Sequence, residues 1–422
     1  MTNRDRQGWA LVGGFFLAEF FILGSGYDTA GVFFTPLLKH FGWNRTQLSM
    51  LTSAISLAAA CMGPGTGWLL DRIDSKWVVT IGAGVCGLAF LMASTAHSFA
   101  WMVSAYALLG VGAAASVMTP CYYVISNWFD ERRGLAMTLA ITGIEIGGTV
   151  MALISTYMIA HAGWRTAYVV LAAPVILVVV PLMILLVRSR PETGRTATAD
   201  AQGIHGAHGG HGGDASQSGL EVGVALRERS FWLIAVSYLA YAFGATALIV
   251  HLVPYLIGIG MPAARAALVL SVMLALNIVG KPGLGALADR FGIRLIYGLN
   301  LLCVGLGFFF LLYARHPSML ALFILVYGLS CGAPIALMPT ILADSVGLRR
   351  YGSLSGLLVT MGVIGSAAGP IAAGAVFDRI GSYMGIFEFF TLALLIAAFL
   401  PIGCVSFRDR EAAMAAVPQV AS

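Results

Sequence analysis

Six ionisable side chains stand inside long apolar stretches: Glu19, Asp28, Glu145, His251, Lys281 and Glu388. A charge near the middle of a membrane span costs about 2.5–3.5 kcal/mol, so such positions are where chemistry is expected. Lys281 lies eight residues before Asp289, roughly 12 Å inside the end of its helix at the usual rise per residue. Asn277 is one turn earlier, on the same face. An ammonium and an amide so placed can hold a carboxylate; the competing use of Lys281 is an ion pair with Asp28 or Glu145. His251 is one turn from Tyr255, and Ser237 falls within about 40° of the same face. An imidazole there can hydrogen-bond a carboxylate or a hydroxyl and titrates in a useful range.

The acids divide by position. Asp28 is roughly 13 Å from the end of its stretch, beside Gly24-Ser-Gly26, which permits a local break. It reads as a proton carrier or as a partner for Lys281, because burial and a nearby cation act on a carboxyl in opposite directions. Glu19 is nine residues earlier and faces the other way on a straight helix, so it reads as a packing or interhelix hydrogen-bonding residue. Glu145 lies in a polar stripe with Thr138, Thr142 and Thr149, among Gly143, Gly147 and Gly148; coupling or cavity lining is expected of it. Glu388 falls near the start of its stretch, close to the interface. Thr119, Tyr123 and Asn127 form a second stripe. Three histidines, His205, His208 and His211, stand in a Gly-rich segment whose spacing matches no closed structural metal site, so no metal and no cofactor are expected.

These positions need long apolar elements. Of 422 residues, 59% are hydrophobic and 10% charged, with mean hydropathy +0.87. Soluble proteins carry about 25% charged residues, so a soluble enzyme or cytosolic binding module is excluded. Apolar runs of roughly 20 residues span a bilayer as helix, and twelve fit: roughly 9–37, 46–70, 76–96, 100–128, 134–160, 164–187, 231–258, 265–288, 292–313, 317–343, 353–377 and 383–406. The first lacks a small-residue cleavage site and is expected to be a retained helix. All six cysteines lie in or at the ends of these runs and read as small apolar residues. The fold expected is an all-α membrane protein in two pseudo-symmetric six-helix halves, 1–187 and 231–406. A linker, 188–230, joins them, and a tail, 407–422, follows.

The formal charge of +5 is less telling than its distribution. With both termini in the cytoplasm, seventeen Lys and Arg fall in cytoplasmic segments and six on the opposite side. This bias sets the orientation and points to a bilayer, not nucleic acid, as the partner. An internal repeat supports the halves. Gly67-Trp-Leu-Leu-Asp71-Arg72 follows the second run and Gly285-Ala-Leu-Ala-Asp289-Arg290 the eighth, 218 residues on; Arg132-Arg133-Gly134 and Arg349-Arg350-Tyr-Gly352 stand 217 apart. Duplicated six-helix halves place a substrate site between them near the midplane. Neither a nucleotide loop nor a nucleophile motif is present, so the chain does not read as an enzyme.

The paired Gly-x-x-x-Asp-Arg signature resembles the major facilitator superfamily. Gly31-Val-Phe-Phe-Thr-Pro36, Phe41-Gly-Trp-Asn-Arg-Thr-Gln47, Asn127-Trp-Phe-Asp-Glu-Arg-Arg-Gly-Leu-Ala136, Gly163-Trp-Arg-x-Ala167 and Ala375-Val-Phe-Asp378-Arg-Ile-Gly-Ser-Tyr383 narrow it. Together they resemble the monocarboxylate transporters and their bacterial relatives, including oxalate–formate antiporters. The resemblance covers nearly the whole chain outside the linker and tails. It implies a major facilitator fold and a secondary active transporter of small organic anions working by alternating access.

The same resemblance implies substrate contacts from Lys281, where the family carries Arg before a proline, from His251 and from a fourth-helix tyrosine (Tyr123, or else Tyr122); Asn277, on the face of Lys281, and Tyr327 in the tenth helix are further candidates. It implies a cytoplasmic gate of Asp71, Arg72, Arg132, Arg133, Asp289 and Arg290. Asp28 departs from the family, which has Lys there. The eleventh helix, Leu354 to Gly369, carries no cation; oxalate-type members use one there for a second carboxylate. The expected activity is therefore symport of a lactate- or pyruvate-like monocarboxylate with a proton carried by Asp28 or Glu145, in a functional monomer of a bacterial inner membrane. An organic-anion exchanger without proton coupling and a proton-driven exporter of a cationic solute are the alternatives.

Overall fold

The computed structural model describes residues 3–129, 133–187, 220–347 and 351–407. They form helices and short connections. In chain order these are α1 (Asn3–Gly26), α2 (Ala30–Phe41), α3 (Arg45–Arg72), α4 (Ser75–Ser94), α5 (Phe99–Ala113), α6 (Thr119–Trp128), α7 (Arg133–Pro174), α8 (Val180–Leu186), α9 (Val222–Ala225), α10 (Arg229–Gly258), α11 (Ala263–Phe291), α12 (Ile293–Leu312), α13 (Pro317–Ser330), α14 (Ala333–Val346), α15 (Tyr351–Ile380) and α16 (Met384–Ala397). Single π turns at Ala114–Met118 and Val175–Val179 join α5 to α6 and α7 to α8.

Eleven apolar runs are long enough to cross a membrane, and one of them, Leu135–Leu186, is 52 residues long. It is two spans. Gly163 breaks it at φ 83°, a left-handed conformation in which a side chain is strained. The described residues thus supply twelve spans, as expected from the sequence. Their outer faces are apolar: Leu177 and Leu185 are each 72% exposed and Val279 68%, a surface suited to lipid and not to water.

The first span is interrupted where Gly24-Ser-Gly26 suggested. Helix α1 stops at Gly26 and α2 starts at Ala30, with the Thr29 hydroxyl donating to the Ser25 carbonyl across the break. The premise of one straight helix carrying Glu19 and Asp28 on opposite faces therefore does not hold: Asp28 sits in the break itself.

The chain divides into two compact units. The first holds Met1–Ala197, Phe243–Ile278 and Ser366–Ile386; the second holds Thr198–Ala242, Val279–Gly365 and Phe387–Ser422. In the first, α1 lies along α7 with backbones almost touching. A methyl on Gly143 or Gly147 would strike the carbonyl oxygen of Phe16 or Phe20, and one on Gly24 would lie 2.6 Å from the Gly148 nitrogen. Small residues let membrane helices approach this closely. Gly147→Ala is accordingly expected to cost about 1–3 kcal/mol through overpacking, read as a lowered Tm of the detergent-solubilised protein.

Three further seams in this unit join early and late parts of the chain. Gly31 of α2 packs on the Val250 carbonyl of α10, and Gly374 of α15 on the Arg45 carbonyl of α3. Between α7 and α11 the Ser271 hydroxyl donates to the Thr149 carbonyl at 2.7 Å and the Thr149 hydroxyl to the Ser271 carbonyl at 3.3 Å. In the second unit α12 packs on α13 and α14. Arg294 there holds Asp344 at 2.9 Å and the Cys404 carbonyl at 2.9 Å.

Candidate functional site

The residues expected to hold an anion start from α11. Asn277 is buried and Lys281, one turn further, is half-buried. The helix runs through Pro282 unbroken, so both stay on one continuous face. Tyr123 on α6 is half-buried and Tyr122 is 43% exposed; they begin one turn after the π turn that ends at Met118. Tyr327 has a different setting. It is fully buried in the second unit, its ring 5.6 Å from Phe308 and 5.4 Å from Phe323, in a packed aromatic cluster.

The acids gather on α1, the break after it, and α7. Asp28 is 5% and Glu145 7% exposed. A methyl on Gly148 would fall 2.5 Å from Asp28 Oδ2 and 2.9 Å from Leu274 Cδ1, so only glycine lets the carboxyl lie against α7. Beside Asp28, the hydroxyls of Ser56, Thr246 and Ser366 surround the Tyr27 phenol. That polar hub draws on α3, α10 and α15 and had no signal in local spacing. Glu388 is exposed on α16, in keeping with an interfacial position.

His251 is fully buried, and both its ring nitrogens are engaged. Nδ1 lies 2.8 Å from the Tyr383 hydroxyl; Nε2 lies 2.9 Å from the Pro370 carbonyl and 3.0 Å from Ser49 Oγ. One arrangement of protons satisfies all these contacts with a neutral ring. Arg45 only donates and bonds the Tyr383 oxygen, and in this arrangement the phenol proton goes to Nδ1. The Pro370 carbonyl only accepts, which assigns the ring proton to Nε2. Ser49 Oγ gives its own proton to the Arg45 carbonyl at 2.8 Å. The imidazole is thereby neutral and serves the protein's own network in this conformation.

That network ends in a helix cap. The first amides of α3 lack helical acceptors. Asn44 and Gln47 cap one another, Gln47 N donating to Asn44 Oδ1 at 2.8 Å and Asn44 N to Gln47 Oε1 at 3.0 Å. Asp378, 333 residues away on α15, takes the other two: Arg45 N at 3.0 Å and Thr46 N at 2.8 Å, with the Thr46 hydroxyl at 2.6 Å. A carboxylate at a helix N-terminus also meets the positive end of the helix dipole. The Arg45 guanidinium lies over the Phe377 ring at 3.7 Å, a cation–π contact. Arg45 opens α3 and Asp378 lies in the last turn of α15. Arg45, Asp378 and Tyr383 were not singled out from the sequence; they stand in two of the quoted motifs, whose pairing no spacing reveals.

Among the expected gate residues, the Arg72 guanidinium stacks over Trp68 at 4.3 Å, while Asp289 and Arg290 are exposed. None of these three forms an ion pair among the described residues. Of the remaining gate residues, Arg132 and the side chains of Asp71 and Arg133 lie outside the described residues. So do 188–219 of the linker and 408–422 of the tail.

The sequence profile of the Major Facilitator Superfamily matches residues 16–370 and again 259–421. The chain belongs to the major facilitator superfamily. It is a membrane transporter, not an enzyme. Among this facilitator's relatives, Monocarboxylate transporter 12 of Mus musculus is 24% identical over 414 residues, which are 93% of this chain and 84% of that protein. Monocarboxylate transporter 3 of Mus musculus is 27% identical over 385 residues, covering 90% and 76%. A bacterial homologue of the human lysosomal transporter Spinster, solved inward-facing and occupied, superposes with TM-score 0.72 at 17% identity, covering 95% of this chain and 97% of that one. The expected all-α major facilitator fold is thus the observed one, and the likeness to monocarboxylate transporters read from the motifs extends over most of the facilitator's length.

Proposed function

We propose that this facilitator is a proton-coupled symporter of small monocarboxylates such as lactate or pyruvate. Its two six-helix halves alternate access to a site holding one anion. The observation that carries the reading is the single ammonium of Lys281, one turn from the Asn277 amide, within an apolar span. The relatives named monocarboxylate transporters support it, as does a Leu354–Gly369 stretch that carries no second cation. In the proposed cycle, Asp28 or Glu145 takes a proton and the anion pairs with Lys281 and Asn277. Tyr123 closes over it, and His251 joins when the Asp378 cap releases. Tyr327 is a further candidate contact, available when its aromatic packing loosens. The Asp71–Arg72, Arg132–Arg133 and Asp289–Arg290 clusters gate the cytoplasmic end, both termini being cytoplasmic in a bacterial inner membrane and the monomer sufficing.

The test is uptake of labelled L-lactate into proteoliposomes, with and without an inward proton gradient. One-to-one coupling predicts about ten-fold accumulation per pH unit, competed by pyruvate and not by oxalate. Uptake that needs lactate on both sides and ignores the gradient would replace symport by exchange.

A further inference from the structure

Glu19 is the acid that the sequence reading set aside as packing, and its surroundings do not suit that role. The residue is 2% exposed, and its Oε2 has no hydrogen-bond partner among the described residues. Buried carboxyl oxygens in a structural role are satisfied by donors; an orphan at this depth needs another reason. Its backbone is clamped: a methyl on Gly143 of α7 would lie 3.2 Å from Glu19 Cβ, so the side chain cannot swing out along that seam. The charged group that acts on it is Glu145, another acid, and Cys121 of α6 is the further titratable neighbour within electrostatic reach. A second acid within electrostatic reach disfavours a charge on the first. A buried charge without donor or cation is far more costly than the neutral acid.

We propose that Glu19 carries the coupled proton in this conformation: it takes the proton up from the outer side with the anion and gives it up to water on the inner side once its surroundings open. Uptake and release are tied to transport because Glu19 rides on α1, which lies along α7. Those two helices lead into the seams at Gly31–Val250 and Thr149–Ser271 that join early and late parts of the chain. This rests on the proposed symport and places the proton on Glu19 in place of Asp28 or Glu145.

Wild-type protein is measured first, so that the two ideas fail separately. Absence of gradient-driven lactate accumulation in wild type overturns symport itself. Given accumulation in wild type, Glu19→Gln, which keeps shape but cannot release a proton, is expected to drop the ratio from about ten per pH unit to about one. It should still exchange labelled for unlabelled lactate and should bring no lactate-dependent proton flux to an internal pH dye. Accumulation by Glu19→Gln at the wild-type ratio would overturn the inference. Should Glu19→Gln also lose exchange, Glu19→Asp decides: restored gradient-driven accumulation supports the proton role, and an equally inactive Asp variant assigns Glu19 to packing.

Discussion

Lys281→Ala is expected to reduce lactate uptake by about a hundred-fold or more, since a charge-assisted hydrogen bond to a desolvated carboxylate is worth about 3 kcal/mol. The fold should survive. Lys281 is half-buried on a helix that runs straight through Pro282, and truncating it removes a charge from an apolar span without opening a core cavity. Thermal melting and elution of the purified variant should match wild type while uptake vanishes. Lys281→Arg makes the complementary point. It keeps the charge but replaces a compact ammonium by a planar fork, so it should retain part of the transport and alter the preference among monocarboxylates. Normal uptake by Lys281→Ala would remove the anion from α11 and redirect attention to the Tyr27 hub.

The second large effect concerns Asp378. Its carboxylate accepts two backbone amides and a hydroxyl from the first turn of α3. Asp378→Ala leaves those amides uncapped, a loss of about 1–2 kcal/mol for the cap, with more from the released Thr46 hydroxyl and the loosened Arg45. The populations of states with this end closed and open should shift by about thirty-fold or more. Hydrogen–deuterium exchange reads it directly: the peptide spanning Arg45 and Thr46 should lose protection, as should the one around Tyr383. Asp378→Asn, which keeps one acceptor oxygen, should fall between. If both peptides stay as protected as in wild type, the contact is a passive cap and the opening of this end is set elsewhere.

The spans were readable because each needs an apolar run of fixed length, and even the break after Gly26 was foreshadowed by Gly24-Ser-Gly26. Lys281 and Asn277 could be placed on one face because helical periodicity reports faces. It does not report partners. Asp378 meets backbone amides 333 positions away, and amides have no letter in a sequence. His251 was readable as a buried imidazole, yet its engagement by Tyr383, Ser49 and Pro370 depends on three other segments of chain. Glu19 is a related case: an angular position on a helix does not tell whether a carboxyl oxygen meets a donor, and its Oε2 meets none among the described residues. The π turns were silent because Ala114-Ala-Ser-Val-Met118 is as good a helix former as its neighbours.

The turn at Ala114–Met118 has a consequence for comparing this chain with its relatives. A π turn houses one more residue than an α turn over the same stretch of axis. A relative whose fourth span is purely α-helical therefore reaches the same depth one residue sooner, and a true correspondence between the two must open a one-position gap there. A tyrosine of such a relative that falls opposite Tyr122 without the gap falls opposite Tyr123 with it. The two rings point about 100° apart, so the placing of a single gap character decides which of them inherits a substrate contact.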